Sequence, residues 1–200
     1  MSNARSSDSE IVVADPRLAY RSAQAFSALA RHWSAPEPAN LENSGLQSLG
    51  AAVASATNTG LAIELYLKTL HGVLGGIPRG HDLVALFDRL PPAARIQTER
   101  LYEEALRNLP DGMPRALTVA SATRGQAGTP EGKPPAPDAS LRALLARSAD
   151  IFVTWRYFHE QDSSLGFRYF TYEYDALWAA ASALELAIAL YGQTWLRLDA

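Results

Sequence analysis

The chain has 200 residues, of which 48% are hydrophobic and 20% are charged. These proportions are typical of one soluble globular domain and exclude a disordered chain. The formal charge is −3, so no strong overall field attracts nucleic acid or anionic lipid, and neither duplex DNA nor a membrane is an expected partner. The chain has no cysteine and only four histidines. Disulfides and thiolate metal sites are therefore excluded, and neither a metal nor another cofactor is predicted.

Residues 1–10 are polar and serine-rich, and we expect residues 1–14 to form a disordered tail. They lack the apolar core of a signal peptide, so a cytoplasmic location is expected. Residues 15–200 are predicted to form one helical domain. Its last stretch, Ala176–Leu196, is long enough to cross a bilayer, but Glu185 in its middle favours a buried helix of a bundle.

Apolar residues recur at helical spacing through most of this domain. Asp15 is a candidate N-cap and Pro16 a first-turn residue of a helix that extends to about Trp33. Further helices are predicted over Leu46–Leu74, Asp82–Leu90, Ala93–Leu109, Ala139–Glu160 and about Asp175–Leu196. In the fourth of these six helices we expect Glu99, Glu103 and Glu104 to face outward.

Two segments interrupt this pattern. Residues 125–138 are rich in proline and glycine, which predicts a mobile surface loop. The aromatic stretch Phe167–Tyr174 partly alternates, so a short strand or hairpin competes there with irregular structure. The pattern as a whole indicates an all-α, up-and-down bundle of four to five long helices with short extra helices.

A first group of polar residues occupies one face of the second long helix. Glu64, Lys68 and His71 are separated by four and three positions, so their side chains point the same way, and leucines flank them on both sides. One interpretation is a solvated Glu–Lys pair that stabilises the helix by about 0.3 kcal/mol. The alternative is a partly buried network inside the bundle.

A second group lies near residue 156. Arg156 and Glu160 are one helical turn apart, and His159 falls nearer the apolar side. Packing in the core explains such a histidine, although burial near a carboxylate also makes it an acid–base candidate. We expect the two groups to meet, with Lys68 reaching Glu160 and Arg156 reaching Glu64.

A third group precedes the short helix that starts near residue 82. His81 or Asp82 can cap its free amides, and an aspartate is favourable at the positive end of a helix. His71 and His81 could approach each other across the turn, but two histidines without a spaced carboxylate are a poor metal signal. The phosphate-loop, dinucleotide-binding, serine-elbow and zinc-protease motifs are all absent from the sequence.

Three short motifs carry a family resemblance. The segments Ala62–Lys68 (AIELYLK), Gly80–Leu83 (GHDL) and Phe152–Glu160 (FVTWRYFHE) resemble the HEPN domains, the "higher eukaryotes and prokaryotes nucleotide-binding" helical bundles. The resemblance covers most of Asp15–Leu196. It implies an all-α bundle, often a homodimer, in bacterial stress, toxin–antitoxin or phage-defence settings.

The resemblance also bears on activity. Many HEPN domains are metal-independent ribonucleases that use an arginine and, after four to six intervening residues, a histidine. That spacing is absent here, because two residues separate Arg156 from His159. The expected function is therefore a binding module that recognises a nucleotide, an RNA or a partner protein, and a purely structural interaction domain fits the same features. The enzymatic alternative is a ribonuclease in which His159 is the acid–base group and Arg156 stabilises the phosphate charge.

Overall fold

The computed structural model describes residues 15–32, 45–109, 117–121, 138–149, 151 and 168–193. In these ranges the chain is a helical bundle, and the predicted all-α class is confirmed. The long helices are α1 (Pro16–His32), α2 (Gly45–Leu74), α4 (Pro92–Arg107) and α6 (Tyr174–Tyr191), and the short ones are α3 (Leu83–Asp88) and α5 (Leu141–Arg147). The predicted tail 1–14 and the predicted loop 125–138, apart from Asp138, lie outside the described residues.

Helices α1 and α2 pack against each other in opposite directions. Pro16, at the start of α1, lies beside Gly72 near the end of α2. At the other end of the pair, the Ser55 hydroxyl of α2 donates a hydrogen bond to the carbonyl of Ala30 in α1, at 3.1 Å. The two ends together fix an antiparallel pair.

Helix α6 packs on α2, on α4 and along one edge of α1. Its Trp178 lies near Arg31 late in α1, whereas its Glu185 accepts a hydrogen bond from Gln24, farther back along α1. Helix α6 is therefore antiparallel to α1 and runs in the same direction as α2. This is the relation expected between the second and fourth long helices of an up-and-down bundle.

The contact face of α6 consists mainly of alanine. Small side chains allow helices to approach closely, and those of α6 are buried between its neighbours. The fully buried alanines of this helix are Ala179, Ala180, Ala183 and Ala187. The described part of the predicted stretch, residues 176–193, is thus apolar because it faces protein on several sides. Within the described ranges, no helix meets the length and hydropathy needed to cross a membrane.

Glycine ends α2 as its sequence predicts. Gly75 has a φ of 122°, a left-handed conformation that other residues adopt at a cost. The amide of Gly76 donates to the carbonyl of His71 at 3.0 Å, which satisfies one of the last carbonyls of the helix. The chain then turns toward α3.

A two-stranded antiparallel sheet accompanies the helices. Strand β1 (Leu117–Ser121) pairs with β2 (Arg168–Tyr172), with Leu117 opposite Tyr172 and Ser121 opposite Arg168. Strand β2 falls in the stretch for which a strand was one of two expectations. Its partner comes from a distant part of the chain, so the pair is not a local hairpin, and no sequence pattern predicted β1.

Helix α5 accounts for the first part of the predicted helix Ala139–Glu160, of which residues 150 and 152–160 lie outside the described residues. Helix α5 ends at Arg147, because Ser148 caps it and the amide of Ile151 turns back to the Ser148 carbonyl at 3.0 Å. The Arg147 guanidinium donates two hydrogen bonds, at 2.6 and 2.7 Å, to the carboxylate of Glu173 just before α6. This contact ties the end of α5 to the start of α6.

The outward placement predicted for Glu99 is wrong. Its two carboxylate oxygens accept the amides of Leu141 and Arg142, at 2.9 and 3.0 Å, and so cap the N-terminus of α5 from α4. Free amides at a helix start attract a carboxylate, and α5 supplies them from a distant part of the sequence. Glu103 and Glu104 are exposed, as predicted.

Candidate functional site

The three candidates of the second polar group, Arg156, His159 and Glu160, lie outside the described residues. The predicted contacts between Lys68 and Glu160 and between Arg156 and Glu64 therefore stay predictions. The structure does place the remaining candidates.

Glu64 and Lys68 pair with each other on α2. The Lys68 Nζ lies 2.7 Å from Glu64 Oε1, and the side chains are 17% and 12% exposed, so the pair is partly buried. His81, on the loop before α3, reaches the same Oε1 with its Nδ1 at 2.9 Å. A carboxylate only accepts, so Nδ1 carries the proton of this bond. Glu64 thereby holds the loop against α2.

His71 does not join this pair, although the helical spacing places it on the same side. Its ring is 8% exposed, and Nε2 donates to the carbonyl of Leu86 at 2.7 Å. This bond fastens the end of α2 to α3. No hydrogen bond links His71 to His81 in the described part of the chain.

Asp82 is the N-cap of α3. Its carboxylate accepts the amide of Ala85 at 3.0 Å, as expected for an aspartate that precedes a helix. His81 is exposed and turns to Glu64 instead. Residues 15–32, 45–109 and the other described ranges contain no group of three or more metal-binding side chains.

A cleft lies where α1, α2 and α6 meet the end of β2. It contains about 260 Å³ of empty space, counting the part open to solvent. Only about 10 Å³ of this space admits the centre of a water-sized molecule, so a planar ring or an anionic group would lie across the open mouth of the cleft and not inside it. Three alanines line it, together with Ser27, Arg31, Thr59, Tyr172, Tyr174 and Trp178.

Arg31 is the cation of the cleft. Its guanidinium carbon lies 5.9 Å from the centre of the Trp178 ring, and Nη2 donates to Ser27 Oγ at 3.0 Å. None of the carboxylates in the described ranges forms an ion pair with it. Arginine has five N–H donors, so most of its donors stay available for an anion.

Tyr172 anchors the end of β2 beneath the cleft. Its hydroxyl lies 2.9 Å from both Ser55 Oγ and Thr59 Oγ1. Ser55 also bonds to the Ala30 carbonyl, and Thr59 bonds to the Ser55 carbonyl at 2.8 Å. The hydroxyls of Ser55, Thr59 and Tyr172 supply three protons for these four contacts. At any moment, therefore, one of the four contacts is not a hydrogen bond. Burial raises the pKa of Tyr172 to about 12, which keeps its hydroxyl protonated.

A second polar layer lies about two turns farther along the same helices. Glu185 accepts a hydrogen bond from Gln24 Nε2 at 3.0 Å, and the rings of Tyr20 and Tyr66 are 6.2 Å apart. Tyr66 is fully buried, and among the described residues its hydroxyl has no hydrogen-bond partner. Burial, followed by the charge of Glu185, raises the pKa of both tyrosines above its usual value.

The residues of the cleft were not predicted from the sequence. Arg31, Trp178 and Tyr172 come from separate segments, and no short motif joins them. The available signals were indirect: the aromatic stretch before residue 175, and an α1 that carries three arginines and no acidic residue. The residues that carry these signals come together only because α1 packs on α6.

Comparison of this chain with protein-family models, with curated proteins and with solved structures finds no match to any of them.

Proposed function

We propose that this protein is a HEPN-like binding module and that the cleft between α1, α2 and α6 receives a nucleotide. The observation that carries the proposal is Arg31, which lies over Trp178 and forms no ion pair with a carboxylate of the described residues. Arg31, Trp178 and Tyr174 combine a cation with aromatic faces, and proteins recognise unstacked bases on aromatic rings and guanidinium planes.

The aromatic rings of the cleft support the same ligand. Tyr172 and Tyr174 have ring centres 5.8 Å apart at an angle of 76°, an edge-to-face pair that fixes the second ring at the wall. The aromatic wall is therefore rigid before a ligand arrives, which lowers the entropic cost of binding.

The HEPN resemblance adds expectations that stay proposals: a homodimer, a cytoplasmic location and a role in bacterial stress, toxin–antitoxin or defence systems. Several large apolar side chains at the described surface are compatible with a protein partner. Leu18 and Leu29 on α1, and Leu186 and Leu190 on α6, are between 48% and 68% exposed.

The test is a titration of the purified protein with uridine and adenosine monophosphates, followed by tryptophan fluorescence and by calorimetry. The chain has four tryptophans, so a Trp178→Phe variant assigns the signal. We expect saturable quenching in the wild type. Arg31→Ala should raise Kd about tenfold, because a hydrogen bond to a charged group contributes about 1.5 kcal/mol or more.

Arg100→Ala is the matched control, since Arg100 is an exposed arginine of α4, outside the set of cleft residues. Equal affinity of Arg31→Ala and wild type, or no saturable signal with either nucleotide, would contradict the proposal. The same preparations report on the enzymatic alternative. If the wild-type protein cleaves RNA in the presence of a chelator, and the folded Arg156→Ala and His159→Ala proteins do not, the protein is a ribonuclease instead.

A further inference from the structure

We infer that His81 is a phosphoryl-acceptor site, in which ring atom Nε2 takes a phosphoryl group from a phosphoramidate while Glu64 orients the ring. The residues that carry this inference are Glu64, Lys68 and His81, and none of them lines the cleft between α1, α2 and α6. The site is therefore independent of the nucleotide-binding proposal, and the two stand or fall separately.

The ring of His81 combines a held nitrogen with an open one. Its Nδ1 donates to Glu64 Oε1 at 2.9 Å, so a neutral ring carries its proton on Nδ1 and its lone pair on Nε2. The His81 side chain is 84% exposed, and Nε2 has no hydrogen-bond partner among the described residues. An oriented ring whose lone pair faces solvent is the arrangement that a histidine nucleophile needs.

The carboxylate of Glu64 is largely shielded from water. Its side chain is 12% exposed, and its Oε1 also accepts a hydrogen bond from Lys68 Nζ at 2.7 Å. Attack of Nε2 on phosphorus places positive charge on the ring, and a carboxylate held against Nδ1 stabilises that imidazolium. Electrostatic interactions are stronger where water is excluded. Glu64 is thus a positioning residue, which acts on the phosphoryl group only through the ring of His81.

Cations surround the loop that carries His81. Lys68 bonds to the same carboxylate as His81, and the exposed Arg79 precedes His81 by two residues. Arg89 is also exposed and donates to the Arg79 carbonyl at 3.4 Å, which brings its guanidinium to this loop. The neighbouring carboxylate of Asp82 is engaged as the N-cap of α3. A phosphoryl group adds about two negative charges, which these cations offset.

The transfer balances without a further reactant. The lone pair of Nε2 forms the new N–P bond, and the P–N bond of the donor breaks. The donor is protonated on its nitrogen, so its amine leaves as a neutral molecule with its own protons. The ring keeps the Nδ1 proton and becomes an imidazolium paired with Glu64. No atom changes its oxidation state.

Two other histidines provide contrasts within the same chain. Nε2 of His71 donates to the Leu86 carbonyl at 2.7 Å, and the residue is 8% exposed, so it offers a donor molecule neither a lone pair at Nε2 nor access. His32, in the last turn of α1, is exposed and serves as the reference for a surface histidine.

The experiment treats the purified full chain with potassium phosphoramidate and maps the label by peptide mass spectrometry and phosphorus NMR. We expect the label on Nε2 of His81 to form at least about tenfold faster than the label on His32, a modest part of what a positioned acid–base group contributes in enzymes. His81→Ala should lose the fast label. His32→Ala is the matched control and should keep it.

The role of Glu64 is tested by a readout that a merely structural residue would not change. Long-range proton–nitrogen NMR distinguishes the Nδ1–H from the Nε2–H tautomer of His81. Glu64→Ala should release the Nδ1–H tautomer and slow labelling about tenfold, to the rate of His32. Glu64→Gln keeps an acceptor for Nδ1 without the charge, so it should preserve the tautomer and lose only part of the rate. It also provides the test if Glu64→Ala does not fold.

Three results would overturn the inference. Equal labelling rates at His81 and His32 would show that His81 is an ordinary surface histidine. A label on Nδ1 of His81 would show that Glu64 does not hold this nitrogen in solution. An unchanged rate and an unchanged tautomer in folded Glu64→Ala would show that the carboxylate has no part in the reaction. None of these results bears on nucleotide binding in the cleft.

Discussion

Two fully buried tyrosines of this bundle differ in how their hydroxyls are bonded. Tyr172 lies within hydrogen-bond distance of Ser55 and Thr59, whereas the Tyr66 hydroxyl has no partner in the described part of the chain. A buried polar group without a partner costs about 1–3 kcal/mol, and a satisfied one contributes about 1 kcal/mol. The same chemical group therefore has opposite effects on stability at these two positions.

This difference predicts opposite outcomes for the same substitution. Tyr172→Phe should lower the free energy of unfolding by about 1 kcal/mol and not more, because Ser55 and Thr59 each keep a carbonyl acceptor. Tyr66→Phe should leave stability unchanged or raise it, since it removes a hydroxyl that has no partner among the described residues. Urea unfolding of both variants measures the two effects. A loss at Tyr66 as large as that at Tyr172 would reveal a bound water on the Tyr66 hydroxyl.

At the scale of elements, the close approach of α1 and α2 depends on one glycine. A Cβ placed on Gly72 would lie 2.7 Å from Pro16 Cβ and 3.3 Å from Pro16 Cγ. The proline ring is rigid, so a larger residue would have to push the two helices apart. Gly50 lies on the same helix, and a Cβ there meets nothing within 4 Å.

The two glycines form a matched pair for mutation. Gly50→Ala should stabilise the protein by up to about 1 kcal/mol, because alanine is the better helix former. Gly72→Ala has the same helical gain, but overpacking costs about 1–3 kcal/mol, so we expect a net loss of about 1 kcal/mol. Urea midpoints of the two variants give the comparison. An equal gain at both positions would show that α1 and α2 are farther apart than described.

At the scale of the whole molecule, stability depends on tyrosines that stay protonated in the core. Burial is the main cause of the raised pKa of Tyr102 and Tyr172, about 12 for each, and it also raises that of Tyr66. An unfolded tyrosine has a pKa of about 10. Above that pH the unfolded chain loses protons that the native protein keeps, so high pH favours unfolding.

The expected result is a loss of stability on the alkaline side. The contribution of these tyrosines is fully present below about pH 10 and is lost as the pH rises through about 12. Circular dichroism and tyrosinate absorbance, recorded together against pH, test this expectation. We expect the buried tyrosines to ionise in the same step in which the helical signal disappears. Complete ionisation of all eight tyrosines with the helical signal intact would contradict it.

The sequence by itself determined the helices. Periodic apolar residues predicted α1, α2, α4 and α6 to within a few residues, and Gly75 and Asp82 marked helix ends, because these signals are local in the chain. The Glu64–Lys68 pair was also predictable from the sequence, since residues four apart on a helix are neighbours.

Only the tertiary structure decided what these helices bring together. The pairing of β1 with β2, the capping of α5 by Glu99 and the cleft around Arg31 all join residues far apart in sequence. No period or spacing encodes such contacts, because they arise from which faces of the helices pack. Glu99 has the sequence signature of a solvent-exposed glutamate, and Arg31 that of an ordinary last-turn arginine. Packing brings Glu99 to the start of α5, which it caps, and brings Arg31 to the ring of Trp178.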